Sequence, residues 1–319
     1  MSLPPATPQL LRYRALGGPR LGPWQGVVAI ARSSLMLLAR RKLFWALYAL
    51  SVMIFLFYFF GQYLMVFLEN RVSESLVRTG GVLGRNIRPD VLTKMLRDAM
   101  HMDGSADTFG DFMWGEGYIA MVILAFAASV IVGNDFQHNS LPFYLAKPIG
   151  RRHYLVGKAL AVAAVVNAMT TLPAIGLWVE YGFIDTWGYY TDSTRLLGGI
   201  LAYGAALTIT LSLLLLVTAT WLRRTVPLVM VWTAAFVMAR LVQRWLVDGL
   251  GLPVEWRLLD IWNDVYLFGQ WVFGKEHELL RPLNQPQPAY WKATLVMVGV
   301  CVACALYLRK RVRAVEVVA

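Results

Sequence analysis

Six apolar runs, each close to the thickness of a bilayer core, are what this chain has to accommodate before anything else. They fall at residues 44–68, 117–133, 155–178, 196–221, 226–245 and 290–308. A helix needs about 20 residues to cross the hydrocarbon core, and in lipid only a helix or a closed barrel pairs all its own backbone groups. Runs this long and this poor in charge predict transmembrane helices. With 58% of its 319 residues apolar and 15% charged, the chain would expose large apolar patches if it folded in water. The expected fold class is an all-α polytopic membrane protein, one transmembrane domain over residues 1–319.

Charge sets the expected orientation. The net charge of +11 is not spread as on a nucleic-acid-binding surface, and no nucleic-acid partner is expected; the basic residues sit in short clusters beside apolar runs, where membrane lipids are the natural partners. Four segments are basic: the N-terminus with Arg12, Arg14 and Arg20, residues 134–154, the turn Arg223-Arg224, and the tail Arg309, Lys310, Arg311 and Arg313. They alternate with segments 69–116, 180–195 and 246–288, where acids are in excess. The excess of Lys and Arg on the cytoplasmic side places both termini in the cytosol. Trp114, Trp178, Trp187, Trp221, Trp245 and Trp291 fall near span ends, as interfacial aromatic belts do.

The segments outside the spans have their own patterns. Residues 24–42 read as an amphipathic elbow helix in the membrane interface, with Arg32, Arg40 and Arg41 available to lipid phosphate or to a cytosolic partner. Residues 69–79 extend the first span as far as Gly80-Gly81, and Pro89 opens a short amphipathic helix in the extracytoplasmic segment 69–116. Segment 246–288 holds too many aromatic and aliphatic residues for a solvated loop and too few for a span. Two short helices that dip into the outer leaflet and return would satisfy it, with Asp260 and Asp264 turned to water; a peripheral cap with its own small core is the alternative. In the first arrangement Trp262 or Tyr266 lines an outer gate. On the fifth run Arg240, Gln243 and Arg244 share one face, in reach of an anionic substrate or of outer headgroups, and Arg244 is expected to snorkel to the headgroups.

Most catalytic chemistry lacks its residues. There is no phosphate-binding G-x-x-x-x-G-K-[ST] loop; Gly157-Lys158 follows Arg152 where that motif needs glycine. His101, His138, His153 and His277 are scattered, with no H-E-x-x-H pair and no acidic cluster within the spans, so no metal site is expected. The oxygens of residues 103–107 belong to a solvated acidic loop or a cation site that departs from the calcium-loop pattern. Cys301 and Cys304 are one turn apart and read as packing residues.

The polar island 133–158 carries a resemblance. Its order is Asp135, then Asn139-Ser140-Leu141, then Phe143 to Ala146, Lys147-Pro148-Ile149-Gly150-Arg151 and Tyr154-Leu155-Val156-Gly157-Lys158. This resembles the signature hairpin of ABC transporter permeases of the type 2 exporter class. Gly150 stands where serine is commoner, and Gln137-His138 replaces a more usual pair. The resemblance implies the membrane subunit of an ATP-driven exporter in a bacterial cytoplasmic membrane, with re-entrant helices before the last span. Its partners would be a separate nucleotide-binding ATPase and a second copy of itself or a homologous permease. ATP and Mg would bind the partner, and no cofactor or catalytic residue is expected in this chain. The hairpin 134–154 would dock the ATPase through Asn134, Asp135, His138, Ser140, Leu141, Leu145, Pro148, Arg151 and Arg152. From charges alone the hairpin reads as an ordinary basic loop, and a scaffold or extraction machine that docks an ATPase without forming a path is the alternative reading.

Overall fold

The structure, a computed structural model, describes residues 22–78, 102–133, 135, 150–184, 187–222, 224–275 and 286–311. Of the expected features, the hairpin apart from its two ends, the short helix near Pro89, Arg223 and both terminal segments lie outside the described residues. The rest is helical, and six helices are long and apolar enough to cross a membrane. The chain is an all-α polytopic membrane protein.

The helices in chain order are α1 (Pro23–Ala39), α2 (Lys42–Arg78), α3 (Ala106–Gly133), α4 (Arg151–Met169), α5 (Thr171–Ile184), α6 (Gly188–Asp192), α7 (Thr194–Leu222), α8 (Thr225–Gly249), α9 (Ile261–Val272) and α10 (Tyr290–Arg311). A 3₁₀ turn, Val254–Leu259, precedes α9. Spans α3, α4–α5 and α7 form the centre, whereas α2, α8 and α10 bury little of their apolar length and leave the rest half-buried or exposed. An apolar surface so large is stable only against lipid or another apolar chain.

Several boundaries differ from the sequence reading, each for a local reason. The second span begins at Ala106 rather than near residue 117, because the stretch taken for a solvated acidic loop or a cation site is a helix start. Ser105 Oγ accepts from Asp107 N at 3.3 Å, while Asp103 Oδ1 accepts from Ser105 N and from Thr108 Oγ1, each at 3.2 Å. Hydroxyl and carboxylate oxygens used in this way satisfy the first amides of a helix. No group of three acids, histidines or cysteines converges among the described residues.

The third span is one path in two pieces. It breaks at Thr170, whose Oγ1 donates to Val166 O at 2.8 Å, because Pro173 has no amide to give the carbonyl four residues back. It also runs on past Trp178, so Glu180 lies inside α5 and is buried instead of sitting in a linker. Asn167 Nδ2 donates to Thr208 Oγ1 at 3.0 Å across α4 and α7, the interhelical role read for those residues. Of the tryptophans placed in belts, Trp187, Trp221, Trp245 and Trp291 are exposed, while Trp114 and Trp178 turn inward.

The segment before α10 departs most from expectation. It does form two short helices, but Asp260 and Asp264 face the protein and not water; they are 2% and 0% exposed. Asp260 is the N-cap of α9, its Oδ1 accepting from Trp262 N at 3.0 Å. Leu259 and Trp271 are exposed instead. The acids share the buried face of α9 with Trp262, Val265 and Leu267, so this face carries both polar and apolar side chains into the protein. Gly274, with φ +78°, ends the turn after α9, a conformation that favours glycine. Beside it Lys275 pairs with Asp107 at the start of α3, and Lys292 Nζ holds Glu255 Oε1 at 2.8 Å, which ties the 3₁₀ turn to α10.

Candidate functional site

The two ends of the hairpin 134–154 are brought together by a buried charge. Lys158 sits on the second turn of α4 and is 3% exposed. Its Nζ lies 2.7 Å from Asp135 Oδ2, 2.5 Å from Ile131 O and 3.2 Å from Ser34 Oγ. Tyr154, one turn earlier on the same face, donates its hydroxyl to Asp135 Oδ2 at 2.9 Å. Tyr154 and Lys158 reach one carboxylate because residues four apart stack on one side of a helix. The Ile131 carbonyl belongs to the π-helical last turn of α3, Ser129–Gly133, where carbonyls lack helical partners and a cation is favoured by the helix dipole. One ammonium thus fixes the end of α3, the start of α4 and the middle of α1.

The elbow helix completes this node. α1 turns Val27, Ile30, Ala31, Ser34 and Leu38 inward and packs chiefly on α4. The approach is close because Gly157 has no side chain: a Cβ there would lie 3.0 Å from Val27 O and from Ile30 Cβ. Trp24 meets the His153 ring edge-on at 5.9 Å. Arg32, Arg40 and Arg41 are exposed on the other side of α1 and in the turn that follows it.

These contacts change how the expected docking residues are read. Asp135, taken as a group facing a partner, has its carboxylate engaged inside the chain. Arg152 is exposed and Arg151 half-buried, both at the start of α4. Asn134, His138, Ser140, Leu141, Leu145 and Pro148 lie outside the described residues. Gly157 and Lys158, read above as a failed phosphate loop and as the end of the hairpin motif, have packing and charge-pairing roles. Ser34, the second of two adjacent serines in the elbow helix, gave no sequence signal at all.

A second site lies at the opposite end of the bundle. A cavity of about 620 Å³ is bounded by α2, α3, α8 and the segment before α10. It gathers Arg240, Gln243, Trp262 and Tyr266, the residues named from sequence for a substrate path or outer gate. Arg244, expected to snorkel to headgroups, borders the same cavity. Helix α8 has π-helical turns at Ala234–Met238 and Trp245–Gly249, and the short α-helical stretch between them carries all three of its cavity residues. Such turns insert a residue and re-aim the side chains that follow.

Aromatic rings hold the cationic wall. Arg240 donates to the Tyr118 hydroxyl, and its guanidinium lies 5.3 Å from the Trp114 ring centre and 5.8 Å from that of Tyr118. The rings continue from Tyr118 to Trp262 at 5.0 Å and from Trp114 to Tyr266 at 5.8 Å. Arg257, in the segment whose acids are in excess, is buried and pairs with Asp248 at 2.7 Å. The α3 residues of this wall were missed because 106–116 was assigned to an extracytoplasmic segment. Glu116, placed by sequence in the extracytoplasmic segment, is buried in α3 and accepts from Ser51 Oγ of α2 at 2.5 Å.

Outside the spans, burial raises both carboxyls of α9. Asp264 is pushed up to about 8 by burial, with the neighbouring Asp260 adding to the shift. Asp260 is also raised by burial, against the opposing pull of its cap hydrogen bonds and of Arg240 and Arg244. Asp264 is therefore largely a neutral acid at pH 7, consistent with its complete burial.

Against known families, the model described as ABC-2 family transporter protein matches residues 28–255. No curated protein matches the chain. The matched span runs from the elbow helix through the hairpin to the turn before α9, about seven-tenths of the sequence, and the chain belongs to the ABC-2 transporter family as a multi-pass membrane permease.

Proposed function

We propose that this chain is the permease subunit of an ATP-driven ABC exporter, with ATP and Mg bound by a separate nucleotide-binding subunit that docks on the hairpin 134–154. A second copy or a homologous permease completes the assembly through the exposed apolar faces, and lipid covers the rest. Both termini lie in the cytosol, the basic side of α1 rests on lipid phosphate, and the membrane is a bacterial cytoplasmic one.

The observation that carries this reading is the node around Lys158. A push on a flexible loop dissipates, whereas a push on a hairpin whose ends are clamped to three helices moves them as a body. Asp135, Tyr154, Lys158 and Ser34 supply that clamp between α3, α4 and α1. The cavity at the other end favours transport over a scaffold, since a scaffold has no use for a chamber of this size with arginines set in an aromatic wall.

The test is co-expression with the Walker-motif ATPase encoded nearest the gene, followed by purification in mild detergent. The expected result is a stable complex that hydrolyses ATP and loses its ATPase when Arg151→Glu and Arg152→Glu are combined, while the membrane subunit still elutes as a folded species. Failure to retain any ATP-binding protein, or indifference of the complex to both reversals, would overturn the docking assignment.

A further inference from the structure

We propose that the cavity between α2, α3, α8 and the α9 segment binds an amphiphile with an anionic head, the head on Arg244 and the apolar body along the aromatic wall. This rests on the permease reading only for what becomes of the ligand, not for its binding.

The polar part of the wall is incompletely satisfied. Arg240 is occupied by Tyr118 and two aromatic faces, and Arg257 by Asp248. Arg244 borders the cavity without a hydrogen bond or ion pair among the described residues. The nearby carboxylate of Asp260 is turned to the first amides of α9. Two further groups on the wall are unpartnered although almost fully buried: Gln243 Oε1, on a residue 3% exposed, and Trp262 Nε1, on one 2% exposed. Buried polar atoms without partners are costly, and a guanidinium at membrane depth is held only where an anion, water or an aromatic face meets it. An acidic head with an acceptor oxygen for the Trp262 N–H and a hydroxyl or acid proton for Gln243 satisfies all three together.

The rest of the cavity fits an apolar body. Ile54 and Phe57 from α2 and Phe112 and Trp114 from α3 border it, and its volume lies within the roughly 300–1,000 Å³ of pockets that enclose small ligands. The second wall acid, Asp111, stands on α3 and exerts its charge on Tyr58, Tyr203 and Tyr266, whereas Arg240 and Arg244 stand on α8. The chamber is thus polarised, with its cationic end on α8. An acidic phospholipid from the bilayer and a water-borne acidic amphiphile share this chemistry.

The experiment uses the full chain in nanodiscs of neutral phosphatidylcholine and follows quenching of tryptophan fluorescence by a dibrominated stearate, since Trp114 and Trp262 border the site. The expected result is a saturable component for the acid that is absent for its methyl ester and for the corresponding brominated amine. Arg244→Gln should weaken it by about tenfold or more, which is ~1.4 kcal/mol, while Arg152→Gln leaves it unchanged. Equal saturable binding of the ester or the amine, or full binding by a folded Arg244→Gln chain, would overturn the proposal. If that variant does not fold, Arg244→Lys should keep the preference for acid over ester, and equal binding of the two would sink the idea. Phosphatidylglycerol doped into the discs identifies the source: competition assigns the site to a bilayer lipid, and saturation without competition assigns it to a free amphiphile. Saturable acid binding by a chain that retains no ATPase would leave this inference and remove the permease reading; ATP-driven coupling without such binding would do the reverse.

Discussion

Lys158 Nζ and Asp135 Oδ2 are 2.7 Å apart, with the cation buried and the carboxylate only 15% exposed. A buried pair of this kind contributes little over an apolar replacement, but losing one partner strands the other charge at a cost of about 3–5 kcal/mol. Asp135→Ala should therefore destabilise the chain strongly, and Asp135→Ala combined with Lys158→Met should recover much of the loss. The check is a double-mutant cycle in thermal unfolding. Additive losses would show that the two residues do not act as a pair, and any docking defect of Asp135→Ala alone has to be judged against this cost.

Gly157 sets the distance between α1 and α4. A leucine there must displace Val27 and Ile30, and overpacking of a tight contact costs about 1–3 kcal/mol. Gly157→Leu should lower the unfolding midpoint and leave α1 open to protease, with cleavage ahead of Ser34 rising before the spans unfold. Unchanged protease resistance would mean that α1 can slide without leaving its neighbour.

The spans were legible because periodicity and length in lipid leave a helix little competition, and the α8 residues of the aromatic-walled cavity were legible because Arg240, Gln243 and Arg244 are costly at membrane depth. Three things were not. The start of α3 at Ala106 was hidden because Asp103, Ser105 and Asp107 are polar whether they cap a helix or float in a loop. The inward turn of Asp260 and Asp264 was hidden because their i, i+4 spacing fixes one helical face but not what that face meets. Two of the contacts of Lys158 were hidden because Ser34 and Ile131 are far from it in sequence and carry no distinctive chemistry.

Asp264 should make stability depend on pH. Its carboxyl titrates near 3.8 when unfolded and near 8 when folded, so between these values the folded state keeps a proton that the unfolded state releases. The contribution is whole below about pH 4, falls by at most ~1.4 kcal/mol per pH unit, and is lost above about pH 8. Asp264→Asn removes this slope. The variant should therefore gain on the parent chain as pH is raised from 5 to 8, measured as the difference in unfolding midpoint in detergent. A difference that stays constant with pH would show that Asp264 is hydrated and ionised in the fold.

Orientation can be tested at positions chosen from the fold. Ser105 is a poor reporter because its hydroxyl caps α3, and losing an N-cap costs about 0.5–2 kcal/mol. Trp187 is better, being 75% exposed between α5 and α6, and Arg152 is exposed at the start of α4, at the opposite end of the third span. The only two cysteines, Cys301 and Cys304, are unpaired in α10 and can be replaced by alanine to give a clean background. In intact cells Trp187→Cys should react with a membrane-impermeant maleimide, and Arg152→Cys should react only after permeabilisation. The basic segments would then face the cytosol as the distribution of Lys and Arg requires. Labelling in the reverse order would invert every span and move the node around Lys158 to the outer side, where no cytosolic ATPase could reach it.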